Sequence, residues 1–182
     1  MPEPHRYIAF LRAINVGGRV VKMGRLREIF ESLGFADVAT FIASGNVAFT
    51  SRDTNTRSLE RDIEKVLLAA LGYEVETFVR TPAELAAAID HDPFEEPAED
   101  HTLLLGFLST PPSPAVGLTV AAMGTAVDDL RIHGRELYWR CHTRISETLI
   151  KPKQLDRILG MPMTTRNVTT VRKLVAKYGA TA

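Results

Sequence analysis

Tyr7-Ile8-Ala9-Phe10-Leu11-Arg12-Ala13-Ile14-Asn15-Val16-Gly17-Gly18 opens the part of the chain that decides its fold. Residues 7–16 form an apolar, strand-like run, and Gly17-Gly18 is a turn signal that ends it. Leu26, Ile29, Phe30 and Leu33 then recur at helical spacing and Gly34 supplies a stop, which predicts a helix over 24–33. Residues 38–42 and 47–50 flank Ser44-Gly45-Asn46 and read as a hairpin, with Gly and Asn supplying the unusual backbone angles of a tight turn. Leu59, Ile63, Val66, Leu67 and Ala70 share one face of a second helix over 57–71, Gly72 stops it, and 75–80 is a fourth strand. The order βαββαβ is the ferredoxin-like pattern, a four-stranded antiparallel sheet with two helices on one face.

The first strand is apolar on both sides, with Tyr7, Ala9 and Leu11 on one and Ile8 and Phe10 on the other. Two helices cover one face only, so the other face needs a cover too, and the C-terminal half is assigned that role. There, Thr81-Pro82-Ala83-Glu84 is a capping box with proline at the first helical position, starting a helix that runs to about 90. Residues 91–100 read as an acidic surface loop, 101–109 as a strand, and Pro111-Pro112-Ser113-Pro114 as a break in which Ser113 caps a short helix to about 123. A hairpin of 129–132 and 136–141 turns about His133-Gly134-Arg135, and helices over 151–159 and 167–178 finish the chain. No internal repeat appears in the sequence. The expected class is α+β, with a ferredoxin-like subdomain over 1–80 packed against a second, smaller α+β subdomain over 81–182 that ends in a helical tail.

At 182 residues the chain can bury a sizeable core, and its 45% hydrophobic and 24% charged residues are ordinary globular values. The lone Cys141 has no partner for an internal disulfide or a thiolate metal cluster, which fits a reducing compartment. The apolar run before Arg12 is too short for a signal sequence or a membrane span, so the expected location is the cytoplasm and no membrane partner is expected. The zero net charge is unevenly spread: 81–130 carries nine acids and no Lys or Arg, whereas 131–182 carries eleven basic residues against three acids. Such a tail attracts anions, unless its charges are solvated or pair with the acidic segment.

In the ferredoxin-like topology the end of the first strand, the hairpin turn and the start of the first helix share one end of the sheet. That places Arg12, Asn15, Gly17, Gly18 and Lys22 near Ser44, Gly45 and Asn46, beside a helix N-terminus whose N–H groups favour an anion. The alternative is structural: Asn15 and Asn46 satisfy their own turns, the glycines only permit positive φ, and Arg12 pairs with an acid. Neither a full phosphate loop nor a dinucleotide fingerprint is present. Thr164 or Thr165 reads as the cap of the last helix, and Thr165, Arg166 and Asn167 form a second anion-binding candidate. The histidines lack metal-ligand spacing and no acid/base pair identifies a reaction, so no metal, cofactor or catalytic residue is assigned and enzyme activity is left open. Asp128-Asp129 and Glu95-Glu96 read as solvated loop acids and Cys141 as a packing residue. The leading expectation is a protein binding a small anionic ligand, phosphorylated or nucleotide-like. The alternative is a nucleic-acid-binding protein using the ferredoxin-like half and the basic C-terminal segment.

The three motifs, in this order, resemble a bacterial family of unknown function, number 1697. The resemblance is carried by 10–18 (FLRAINVGG), 41–47 (FIASGNV), Val79-Arg80-Thr81, 134–138 (GRELY) and Thr164-Thr165-Arg166-Asn167. The chain departs from that pattern at Ala13, Ala43, Val168 and Ser146-Glu147, where relatives usually carry Gly, Gln, an aromatic and Ser-Lys. The resemblance implies a two-subdomain α+β fold with a ferredoxin-like first half and brings no activity with it.

Overall fold

The computed structural model describes residues 2–42, 45–94 and 100–179. The protein is a mixed α+β fold with two four-stranded antiparallel sheets, and it divides into two compact units, Met1–Ala86 with Leu174–Ala182, and Ala87–Lys173. The first unit begins β1 (His5–Leu11), α1 (Met23–Glu31), β2 (Ala36–Thr40), β3 (Asn46–Ser51), α2 (Thr56–Leu71), β4 (Thr77–Arg80), and continues into α3 (Pro82–Asp90). Its strands lie in the order β2-β3-β1-β4, the arrangement expected from the βαββαβ reading.

Alternation along β1 sorts its side chains by face. Tyr7, Ala9 and Leu11 join Val47, Phe49 and Val79 in a core with Leu26, Ile29 and Phe30 of α1 and Leu59, Ile63 and Leu67 of α2. Ile8, Phe10, Ala48, Phe78 and Arg80 point the other way and are buried as well. Helix α2 does a further job that periodicity does not reveal. β4 is an edge strand, and two of its N–H groups are taken by carboxylates of α2: Thr77 N donates to Glu64 Oε1 and Val79 N to Glu60 Oε1, both at 2.9 Å. Four helical residues rise about 6 Å and two strand residues about 6.6 Å, so i, i+4 carboxylates match alternate strand amides. The edge is thereby closed to further strand pairing.

The second unit contains β5 (Thr102–Phe107), α4 (Pro114–Ala122), β6 (Asp128–His133), β7 (Glu136–Cys141), a 3₁₀ turn at Ile145–Glu147, α5 (Pro152–Leu159) and β8 (Thr164–Asn167), with α6 (Val168–Tyr178) following. Its strand order, β6-β7-β5-β8, repeats that of the first unit element for element. Register repeats too. Phe10 faces Asn46 and Phe107 faces Glu136, whereas Ile8 faces Arg80 and Leu105 faces Arg166. Leu11 N donates to Gly45 O at 2.8 Å and Leu108 N to Arg135 O at 2.9 Å at the same place in each unit. The chain is thus a structural duplication that the residues alone do not betray.

The duplication corrects the reading of 164–167. Thr164-Thr165-Arg166-Asn167 is a strand, paired along β5, and neither threonine caps a helix. β-branched threonines fit a pleated surface, and the ladder with β5 overrides their capping preference. The cap of α6 is Asn167, whose Oδ1 accepts from Thr169 N at 2.8 Å. The equivalent position in the first unit is Thr81, whose capping box with Glu84 is present at 2.8 Å and 3.1 Å. Ser113 caps α4 as expected.

Candidate functional site

β1 leads into an eleven-residue connection, 12–22, before α1. Arg19 N donates to Val16 O at 3.2 Å, closing a turn whose central residues, Gly17 and Gly18, sit at φ +64° and +80°. Two successive positive φ values require a turn that residues with a side chain enter only under strain, so Gly-Gly is needed here. Asn15 Oδ1 accepts from Val21 N at 2.8 Å, and Tyr73 OH donates to Ile14 O at 3.3 Å. The Arg19 guanidinium lies 4.2 Å from the centroid of the Tyr73 ring. These contacts give the loop a definite shape.

The second motif meets the first. Besides the Leu11–Gly45 bond, Gly45 has φ +77°, and a Cβ there would lie 2.8 Å from Ile14 Cγ2 and 3.1 Å from Leu11 Cβ. Asn46 is fully buried at the start of β3, its Nδ2 donating to Phe41 O at 3.0 Å while Phe41 N donates to Asn46 O at 2.9 Å. Among the described residues of the turn, the unusual backbone angles fall on Ile42 and Gly45, whereas Asn46 is extended and closes the turn with its side chain. Ser44 lies outside the described residues. Asn15 and Asn46 act as supports, which leaves Arg12, half-buried, and Lys22, exposed, as the cationic members of the expected set. Lys22 occupies the cap position of α1, which has no side-chain cap bond and no acid in its first turn.

Thr165, Arg166 and Asn167 belong to the second unit. Arg166 Nη1 donates to Thr164 Oγ1 and to Thr165 O, both at 2.8 Å, and burial lowers the guanidinium pKa to about 10, still protonated at neutral pH. Arg80 makes the same bond to the carbonyl before it, Val79 O, at 3.0 Å. The equivalence of Arg80 and Arg166 gives the latter a role in the fold that the sequence did not disclose.

Asp128 and Asp129 are not solvated loop acids. Asp128 is fully buried and accepts from Trp139 Nε1 at 2.8 Å, Thr148 Oγ1 at 2.7 Å, Thr125 Oγ1 at 2.9 Å and Leu149 N at 3.3 Å. Asp129 Oδ2 receives Arg140 Nη2 at 2.8 Å and lies 2.6 Å from His142 Nε2. Burial alone raises both carboxyl pKa values, but the hydrogen bonds outweigh it and hold both below the ordinary range. A depressed carboxyl contributes stability that is present above its unfolded pKa, about 4, and is lost as pH falls through the folded value. In urea titrations the wild-type midpoint is expected to fall steeply below about pH 4, and Asp128→Asn is expected to flatten that limb. An equal acid limb in both proteins would contradict this assignment. Glu95 and Glu96 lie outside the described residues. Cys141 is free and buried.

Other concave regions of the first unit carry different chemistry. One cavity of about 400 Å³ is lined by Arg61, Glu64, Lys65, Leu68, Glu74, Val75 and Glu76. Another, of about 480 Å³, has Asp37, Asp53 and Asp62 in its wall. Among the described residues no group of three or more His, Cys, Asp or Glu side chains is placed to hold a metal ion, and no helix is long and apolar enough to cross a membrane.

A search of curated proteins found no match. Among solved structures, the chain is similar to the conserved bacterial protein SP0830 from Streptococcus pneumoniae, with 21% identity, 98% of this chain and 100% of that one covered, and a TM-score of 0.71. That likeness shows the shared fold. The family profile described as protein of unknown function, DUF1697, matches residues 5–138, which takes in the β1–α1 loop and the β2–β3 turn and ends before β8. On that match the chain belongs to the DUF1697 family.

Proposed function

We propose that the β1–α1 loop, braced by the β2–β3 turn, binds a small anionic ligand bearing a phosphate or nucleotide-like group. The observation that carries this reading is a comparison within the chain itself. At the equivalent place in the second unit, β5 reaches α4 through six residues, 108–113, none of them charged, whereas the first unit uses eleven. The topology does not need the longer loop. Its extra length goes with Arg12, Arg19 and Lys22, followed by Arg25 and Arg27, with no acid between residues 12 and 27. A run of cations at a helix N-terminus without a capping acid suits a multiply charged oxyanion.

The nucleic-acid alternative has less support. The sheet face on which RNA-recognition modules stack bases is here occupied by the buried Ile8, Phe10, Ala48 and Phe78. The anion reading is tested by titrating phosphate and then nucleotides into ¹⁵N-labelled protein. Shifts confined to amides of 12–26 and Gly45 are expected. Shifts spread evenly over the basic C-terminal segment, or none, would contradict it.

A further inference from the structure

The same loop carries a second kind of chemistry. Seven large hydrophobic side chains are exposed among the described residues, and three of them, Val16, Val20 and Ile42, at 56%, 82% and 53%, sit on the β1–α1 loop and the adjoining turn. Single exposed aliphatics are ordinary, but Val16 and Val20 flank the Gly-Gly turn in one run with Arg12, Arg19 and Lys22, and exposed aliphatics set among cations mark an interaction surface. Val16 opens the rigid Gly-Gly turn, Val20 follows Arg19, and Ile42 is held at φ +57° beside the turn that Gly45 locks to Leu11. Arg12, Arg19 and Lys22 lie between and beside Val16 and Val20 in the chain. Two acids on neighbouring backbone, Glu74 and Glu76, line the cavity that also holds Arg61 and Lys65.

We propose that this lip docks the protein on an anionic phospholipid surface, with Val16 and Val20 entering the interfacial layer and the cations meeting lipid phosphates. The proposal rests on the anion-binding reading and names the partner that presents the phosphate. Charge complementarity selects an anionic partner. Projecting aliphatic tips select one with a penetrable apolar layer; a nucleic acid would favour aromatic side chains that stack on bases, and this loop has none.

The test is co-sedimentation with vesicles of phosphatidylcholine alone or with about a third phosphatidylglycerol, at low and raised salt. Binding is expected only with phosphatidylglycerol, weakened by salt. The double variant Val16→Ser/Val20→Ser, at two exposed positions, is expected to lose about tenfold in affinity, equal to about 1.4 kcal/mol, with its response to inorganic phosphate unchanged. Undiminished vesicle binding by that variant would overturn the role of the aliphatic tips. Phosphate binding without vesicle binding would overturn the membrane proposal and leave the anion site standing. Failure of both, or capture of short RNA in place of vesicles, would overturn it together with the reading beneath it.

Discussion

Glu60→Ala is expected to lower the free energy of unfolding by about 3–5 kcal/mol, the usual effect of removing one member of a buried charged pair. Glu60 and Arg80 are each only 1% exposed and approach to 4.0 Å. Glu60 also accepts from Val79 N and, at 2.6 Å, from Arg57 Nη1. Alanine thus strips an acceptor from an edge-strand amide and a countercharge from a buried guanidinium in one step. Glu60→Gln keeps an acceptor for Val79 N and removes the charge, so it is expected to lose less than the alanine variant. Urea denaturation of the three proteins checks this. Equal midpoints for Glu60→Ala and wild type would show that α2 does not secure the β4 edge.

Gly45→Ala is the second large effect, expected at about 2–5 kcal/mol. Adopting φ +77° costs a residue with a side chain about 1–2 kcal/mol, and the added methyl, 2.8 Å from Ile14 Cγ2 and 3.3 Å from Leu11 O, brings an overpacking cost of about 1–3 kcal/mol. The Ile14 side chain can yield, but the Leu11 carbonyl is backbone at the end of an inner strand of the sheet. The contrast is with Gly18→Ala, where nothing lies within 4 Å of the added atom and only the φ of +80° opposes it. Thermal melts should therefore rank Gly45→Ala well below Gly18→Ala. The reverse order would mean that the turn is not braced against the β1–α1 loop as described.

The first unit was legible in the sequence because its signals are local: helical spacing in 26–33 and 59–70, glycine stops at Gly34 and Gly72, and the continuous apolar run of β1 ended by Gly17-Gly18. The second unit was less so. β8 has four residues with no alternation, and only its pairing with β5 makes it a strand. Without β8 the repeated strand order stayed hidden. Asp128 reads as solvated in the sequence because adjacent acids before an apolar residue are usually on the surface, although Trp139 has an indole N–H that needs a partner when buried. In the candidate site, the strand order sets the end of β1 beside Gly45, through the Leu11 N–Gly45 O bond and the close approach of Ile14. The supporting roles of Asn15 and Asn46 depend on hydrogen bonds to Val21 N and Phe41 O that spacing alone does not distinguish from ligand contacts. The contribution of Tyr73, fixed by its bond to Ile14 O, left no signal in the motif at all.

The most direct test of the central claim is a thermal-shift comparison of wild type and Lys22→Ala against phosphate, sulfate, nucleotides and sugar phosphates. Lys22 is exposed and makes no side-chain cap, so its removal leaves the fold intact and reports on binding. A ligand at 100 times its dissociation constant adds about 2.7 kcal/mol to stability. The account predicts a stabilising shift with at least one phosphorylated compound in the wild type, much reduced in Lys22→Ala. Equal shifts in the two proteins would place the anion elsewhere, and no shift with any compound would contradict an anion site on this loop.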